Sequence, residues 1–280
     1  MDLIKPTSGS VALWFLGQSG FAIKGSDRII YLDPYLSDYL TNYTKGKTDE
    51  DPRKFNSPLS PEKITNASLV FGSHYHFDHI DPKTVQTIHE VSPLCKFVFP
   101  PLAASLVELN LEETRIIQVE AYKQYQIDGI SFQGIPSAHE EINQLPDGRY
   151  KDFGYIIEIN GVKIYHSGDC VPYKGLVERL KKEEIDIALL PINGRDFFRL
   201  QRGFLGNFTY QEAGEMASAI GANLLIPMHF GMHMSNTEHP GALVDYLCDK
   251  FPEQKFHIMI IGECLIYSNE KFGSTVTLMP

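Results

Sequence analysis

Three things are scarce in this chain, and each scarcity removes a class of function. Basic residues are outnumbered, with 25 Lys and Arg against 35 Asp and Glu and a formal net charge of −10. Nucleic-acid binders normally carry a basic footprint, so no nucleic-acid partner is expected, although a local basic pocket for an anion is allowed. Long apolar runs are missing. No segment approaches the roughly 20 apolar residues of a membrane span, and Met1-Asp2-Leu3-Ile4-Lys5-Pro6 lacks a signal-peptide core; no membrane association is expected. Cysteine is sparse: Cys95, Cys170, Cys248 and Cys264 have no paired spacing and read as reduced thiols of a cytoplasmic protein. There is also no internal repeat, low-complexity tract or linker, and 280 residues are enough for one large domain spanning 1–280.

What the chain does have is His74-Tyr75-His76-Phe77-Asp78-His79. Three imidazoles and a carboxylate this close are costly unless a cation binds them. Neutral imidazole and ionised carboxylate are standard ligands for divalent metals. Residues 68–71 read as a buried strand. If the chain stays extended beyond them, His74 and His76 project to one side and Tyr75 and Phe77 pack on the other. Asp78 and His79 then fall in a turn before a helix near residue 82, so one segment offers two ligand pairs. Further ligands are needed to close each coordination sphere. His139, Asp169 and His229 each stand where a strand-like run ends.

The rest of the pattern predicts strands near 11–16, 21–24 and 29–32, then a polar stretch at 36–66 with no sustained period. Such a stretch is either a lid or lip over a site or a surface excursion. Helices are expected at 83–90, 102–109, 176–182, 210–220 and 240–250, with Thr209 and Glu212 forming a capping box. Strands are expected at 96–99, 115–119, two within 122–135, 154–159, 162–165, 185–190, 223–226, 256–261 and 265–267, with a hairpin at Asn160-Gly161. Antiparallel strands first and helices interleaved throughout fit two packed sheets covered by helices, an α/β (α+β type) four-layer αββα sandwich. The ligand candidates then meet at one edge.

His74-x-His76-x-Asp78-His79 followed by His139, Asp169 and His229 resembles the metallo-β-lactamase superfamily. That resemblance implies a dinuclear centre: His74, His76 and His139 on the first metal, Asp78, His79 and His229 on the second, and Asp169 bridging. The zinc β-lactamases place a thiolate at position 169. Here Asp169 stands there, and Cys170, one residue on, faces the other way. Position 76 is His where the flavin-linked di-iron members have Glu. The segments around Ser137-Ala138-His139, Ser167-Gly168-Asp169, Asn193-Gly194-Arg195-Asp196 and Met228-His229 are similar to the L-ascorbate-6-phosphate lactonase family. The resemblance implies a manganese-dependent, cytoplasmic, homo-oligomeric hydrolase.

The expected reaction is opening of a lactone or ester of a phosphorylated, sugar-like substrate by a metal-activated hydroxide; a phosphodiesterase on the same scaffold is the alternative. Asp78 and Asp169 are the expected catalytic carboxylates, and Asp78 or a water protonates the leaving oxygen. The cofactors are two divalent ions, Mn2+ or Zn2+, with Fe2+ also compatible with the nitrogen and oxygen ligands. Asn193, Arg195, Arg202 and His233 are the candidate contacts to a small anionic substrate, since Arg forks suit phosphate oxygens; Arg199 lies in the same Gly-punctuated segment. Asp33 either orients a ligand imidazole or starts the turn before Pro34, and His166 either points away from the metals or supports the ligands from behind.

Overall fold

A computed structural model describes residues 1, 3–47, 52–269 and 276–279, the last segment as backbone. Its first strand shows how the sequence builds the layers. β1 (Ser10–Gly17) is buried along its whole length. Side chains alternate across a strand: Val11, Leu13 and Phe15 enter one apolar core, and Ala12, Trp14 and Leu16 enter another. A strand with both faces covered reads as a continuous apolar run.

β2 (Gly20–Gly25) and β3 (Arg28–Leu32) continue antiparallel from β1. α1 (Tyr39–Thr44) interrupts the long polar stretch. β4 (Leu69–Phe71), β5 (Lys96–Phe99) and β6 (Ile116–Gln118) then add in parallel, connected through α2 (Pro82–Val91) and α3 (Ala103–Leu106). β7 (Gln124–Ile127) and β8 (Ile130–Pro136) open a second sheet. The ribbon β9 (Ala138–His139) and β10 (Glu141–Ile142) leads to β11 (Phe153–Ile159) and β12 (Val162–His166). Asn160 and Gly161, both at positive φ, make their tight turn. α4 (Leu176–Leu180), β13 (Ile187–Pro191), α5 (Phe197–Gln201), α6 (Tyr210–Ile220), β14 (Leu224–Met228) and α7 (Pro240–Lys250) complete this half. β15 (Cys264–Ser268) and β16 (Val276–Met279) return to the first sheet.

The sheet orders are β16-β15-β1-β2-β3-β4-β5-β6 and β14-β13-β12-β11-β8-β7. One core lies between the sheets, with Phe71, Phe132 and Tyr155 at its middle. A second lies under α2 and α3, and a third under α4, α6 and α7. This is the expected αββα order. The capping box is present: the Thr209 hydroxyl accepts from the Glu212 N–H and the Glu212 carboxylate accepts from the Thr209 N–H.

Two expectations differ from the fold. The helix expected at 102–109 shortens to α3. Residues 256–261 form no strand; Phe256 makes one bridge to Leu225 and the chain then leaves the sheet. Glu263 stabilises that departure by accepting from His257 Nε2 at 2.6 Å and from the Ile260 N–H at 2.8 Å. The stretch at 36–66, of which 48–51 lie outside the described residues, is tied down: Arg53 donates to the Ser37 and Tyr35 carbonyls and the Lys54 N–H to the Met232 carbonyl. No helix among the described residues is long and apolar enough to cross a membrane.

Candidate metal centre

The strands β3, β4, β12 and β14 deliver side chains to one edge of the sandwich, outside their carboxyl ends, where open sheets gather ligand-binding groups. Several residues with positive φ lie there. Gln18, Asp33, Glu140 and His229 all hold positive φ, between 40° and 66°, as strained residues at functional sites do. The sheets approach closely. A Cβ on Gly168 (φ 59°) would lie 2.7 Å from the Ser73 Cβ, so only glycine fits before Asp169.

The histidine motif is not extended. β4 stops at Phe71, and the His79 and Ile80 N–H groups both donate back to the His76 carbonyl, coiling the segment into turns. His74 and His76 still converge, with Nε2 and Nδ1 2.9 Å apart. Tyr75 and Phe77 do not pack on an opposite face as expected; both line the cleft above the site. Phe77 meets Tyr39 and Tyr43 edge-on at 5.0 Å.

The structure brings all seven candidate ligands together, in three groups: His74, His76 and His139; His74, His79 and Asp169; Asp78, His79 and His229. Asp169 is central. Its Oδ1 lies 3.3 Å from His79 Nε2, and its Oδ2 lies 3.4 Å from His229 Nε2, 3.8 Å from His139 Nε2 and 3.9 Å from His74 Nε2. His79 Nε2 and Asp169 Oδ1 are buried without a hydrogen bond. Converging lone pairs left unsatisfied in a buried site are costly, and a divalent cation satisfies them. The donors are nitrogen and oxygen only. The Cys170 thiol bonds the Val171 carbonyl, and burial pushes its pKa up to about 12.

The electrostatics point the same way. Burial, then the charges of His79 and His76, hold His74 well below the usual imidazole range. Burial also lowers His76, and it lowers His139 to about 4, so these rings stay neutral and able to coordinate. Burial disfavours a charged His79, yet Asp169, Asp78 and Asp33 overcome it and hold that ring well above its usual range. Burial would raise Asp78, but His79 and His229 bring it down to about 2, and His229 and His79 likewise keep Asp169 well below the carboxylate range. Clustered carboxylates draw positive charge to the centre, in the form of protons or metal.

Behind the ligands, Asp33 Oδ2 lies 2.6 Å from His79 Nδ1 and accepts from the Ser73 hydroxyl at 2.6 Å. Ser73 Oγ lies 3.0 Å from His74 Nδ1. These contacts turn each Nε2 lone pair into the site. His166 sits outside the cluster, its Nε2 2.9 Å from the Ser19 carbonyl. Sequence reading missed Gln18. Its Nε2 donates to Asp78 Oδ2 at 2.9 Å and lies 3.1 Å from His229 Nε2. Its only signal was a lone amide in a Gly-flanked turn.

The cleft above holds about 500 Å³. Leu40, Tyr43 and Thr44 of the 36–66 stretch form one wall, and Phe204 and Leu205 form another. That stretch is therefore a lip. His233 lines the cleft and stacks on Tyr35 at 5.8 Å. The other candidate substrate contacts sit elsewhere. Arg195 is clamped by both Glu212 oxygens at 2.6 Å and donates to the Asn207 carbonyl. Arg202 is exposed, stacks on the Phe204 ring at 4.9 Å and does not line the cleft. Asn193 is fully buried, bonded to Asn236 and Asn207. Glu140 accepts from the Gly206 N–H. No lysine or arginine lines the cleft among the described residues.

Residues 12–229 match the family model described as the beta-lactamase superfamily domain. A UPF0173 metal-dependent hydrolase of Thermococcus onnurineus is 30% identical over 79% of this chain and 84% of its own length. Two solved structures share the fold. A novel metallo hydrolase from the hyperthermophilic archaeon Ignicoccus hospitalis has a TM-score of 0.68 at 18% identity, covering 93% of this chain and 100% of its own. An isothiocyanate hydrolase from Delia radicum gut bacteria has a TM-score of 0.70 at 15% identity, covering 92% and 100%.

Proposed function

We propose a reaction from the premise that this chain belongs to the beta-lactamase superfamily and, within it, to the UPF0173 metal-dependent hydrolases: hydrolysis of a carboxylic ester or lactone with a compact, largely uncharged body. One observation carries this reading. Seven candidate ligands converge beneath a cleft whose walls are mostly aromatic and aliphatic, with Thr44, His233, Ser235 and Asn236 as polar members, and hold no lysine or arginine among the described residues.

Two divalent cations in these ligand groups would supply Lewis acidity and a water acidic enough to ionise near neutral pH. The chain's own residues do the rest. Asp169 stands within reach of both ligand groups, which suits a shared carboxylate. Asp78 is ionised at neutral pH, and Gln18 occupies its Oδ2. It can give a proton to a leaving oxygen only after taking one up. Tyr43, Tyr75, Phe77 and Phe204 line the cleft, and a substrate packed against them would exclude water from the floor, which strengthens every charge interaction there.

The narrower reading, a phosphorylated sugar lactone as in the L-ascorbate-6-phosphate lactonases, asks for a cation facing the phosphate. Arg195 is held by Glu212. Lys47 and Arg202 lie over the Tyr43 and Phe204 rings and do not line the cleft. The uncharged reading therefore fits the cleft better.

The test is a parallel assay of manganese- and zinc-loaded protein on 4-nitrophenyl butyrate, γ-butyrolactone, a phosphorylated sugar lactone and bis(4-nitrophenyl) phosphate. Turnover of the ester or the plain lactone, abolished by chelator and restored by metal, is the expected outcome. Cleavage of the phosphodiester alone, or strong preference for the phosphorylated lactone, would overturn the reading.

A further inference from the structure

Three asparagines and one arginine run in a chain from the buried interior of the second sheet to the cleft. Asn207 and Asn193 are fully buried, while Asn236 is half-buried and lines the cleft. Arg199 Nη1 lies 3.3 Å from Asn236 Oδ1 and also donates to the Asn193 carbonyl, and the Asp196 carboxylate grips its Nε.

The chemistry of the arginine fixes the direction of the chain. A guanidinium has donors and no acceptor. The Asn236 atom facing it must therefore be the carbonyl oxygen, and a flipped amide would set donor against donor. That same oxygen is 3.0 Å from an Asn193 side-chain atom, which must then be the donor Nδ2. Asn193 consequently turns its Oδ1 to Asn207, whose Nδ2 donates to it at 3.1 Å. At the inner end Asn207 Oδ1 is left buried without a partner. At the outer end both donors falling on Asn236 Oδ1 leave the Asn236 Nδ2 hydrogens without an acceptor among the described residues. The polarity of the whole relay is thus set by Arg199, and its product is an N–H donor presented to the cleft.

We propose that Asn236 is a substrate-binding residue whose side-chain NH2 donates to an oxygen of the substrate in the cleft, and that Arg199 and Asn193 are the positioning residues that keep this amide donor-outward. The inference rests on the hydrolase reading of the same cleft and adds a named contact to it. The ligand chemistry is a carbonyl or carboxylate oxygen, an acceptor that suits an amide donor and that the ester and its carboxylate product share. A preset donor costs no reorganisation when the substrate arrives.

The test uses zinc-loaded full-length protein and butyrate, the carboxylate released from 4-nitrophenyl butyrate. The Asn236 side-chain NH2 resonances are assigned by their loss in Asn236→Leu, and butyrate is titrated. The expected result is a saturating shift of those resonances in the wild type, with butyrate affinity falling about 10-fold in Asn236→Leu, corresponding to about 1.4 kcal/mol. Arg199→Met should weaken butyrate at least 3-fold and broaden or split the Asn236 amide signals, because the amide can then flip. Bound zinc should stay unchanged in both variants. In turnover of 4-nitrophenyl butyrate, Asn236→Leu should lower kcat/KM by a similar factor. Butyrate binding that leaves the Asn236 amide unshifted overturns the inference alone. Zinc-loaded wild type that binds no butyrate also overturns the inference, and turnover of 4-nitrophenyl butyrate by the same protein shows separately whether the ester-hydrolase reading beneath it stands. The wild-type titration decides the matter even if a variant fails to fold.

Discussion

Asp33 ends β3 without reaching the cleft, yet its carboxylate holds His79 through Nδ1 and Ser73 through both the hydroxyl and the N–H. Removing such a partner typically costs 10–100-fold in metal affinity. Asp33→Asn preserves shape but offers His79 an amide donor or one poorer acceptor. Zinc or manganese affinity, measured by competition with a fluorescent chelator, is expected to fall by about that factor, and an unchanged affinity would remove Asp33 from the account. Asp33 was legible in the sequence because an acid ahead of a proline at a strand end is a recognisable punctuation. Gln18 was not. A glutamine in a turn has no chemical reason to be singled out until the fold brings β14 beside it, where the His229 N–H donates to the Gln18 carbonyl at 2.7 Å. Arg195 failed for the opposite reason. The capping-box Glu212 was visible, but nothing in the spacing showed that the same carboxylate would also clamp the arginine.

Among elements, the strongest local signals survived. The Asn160-Gly161 hairpin and the capped helix α6 depend on turn and cap chemistry within a few residues. The histidine motif and the 256–261 run did not follow their patterns, since contacts a few residues away overrode the two-residue period: Glu263 accepts from His257 and the Ile260 N–H and draws one out of the sheet, and the His76 carbonyl gathers the His79 and Ile80 N–H groups in the other. The junction ahead of β11 gives a testable case of burial acting on charge. Burial raises the Asp152 carboxyl from its usual 3.8 to about 6, against a hydrogen bond from Asn143. The folded state holds this proton more tightly than the unfolded one, so the stability it contributes is full below pH 3.8 and is lost as pH rises through about 6. Asp152→Asn in metal-free protein should therefore be more stable than wild type at pH 8, by about 1–3 kcal/mol. The gain should shrink toward zero as pH falls to about 4. Denaturant melts across that range check it, and a gain independent of pH would rule out ionisation as the cause.

Across the whole molecule, the centre draws on both sheets. His74, His76, Asp78 and His79 follow β4 of the first sheet; His139, Asp169 and His229 follow β8, β12 and β14 of the second. A cation bound here would tie the two halves together, and its binding energy would add to the stability of the fold. The overall architecture was legible because strand and helix order alone selects the layers, and the ligand set because chemically expensive residues stood at strand ends. Of the cleft walls, the 36–66 stretch was legible as a lid or lip because a long polar connection stands out, whereas the Phe204–Leu205 wall was not, since nothing in its spacing marks it. The most direct measurement is anomalous diffraction from a crystal soaked in manganese. Two peaks about 3.5–4 Å apart are expected, one at His74, His76 and His139 and one at Asp78, His79 and His229, with Asp169 between them. Peaks elsewhere, or none at these seven side chains at any loading, would contradict the account.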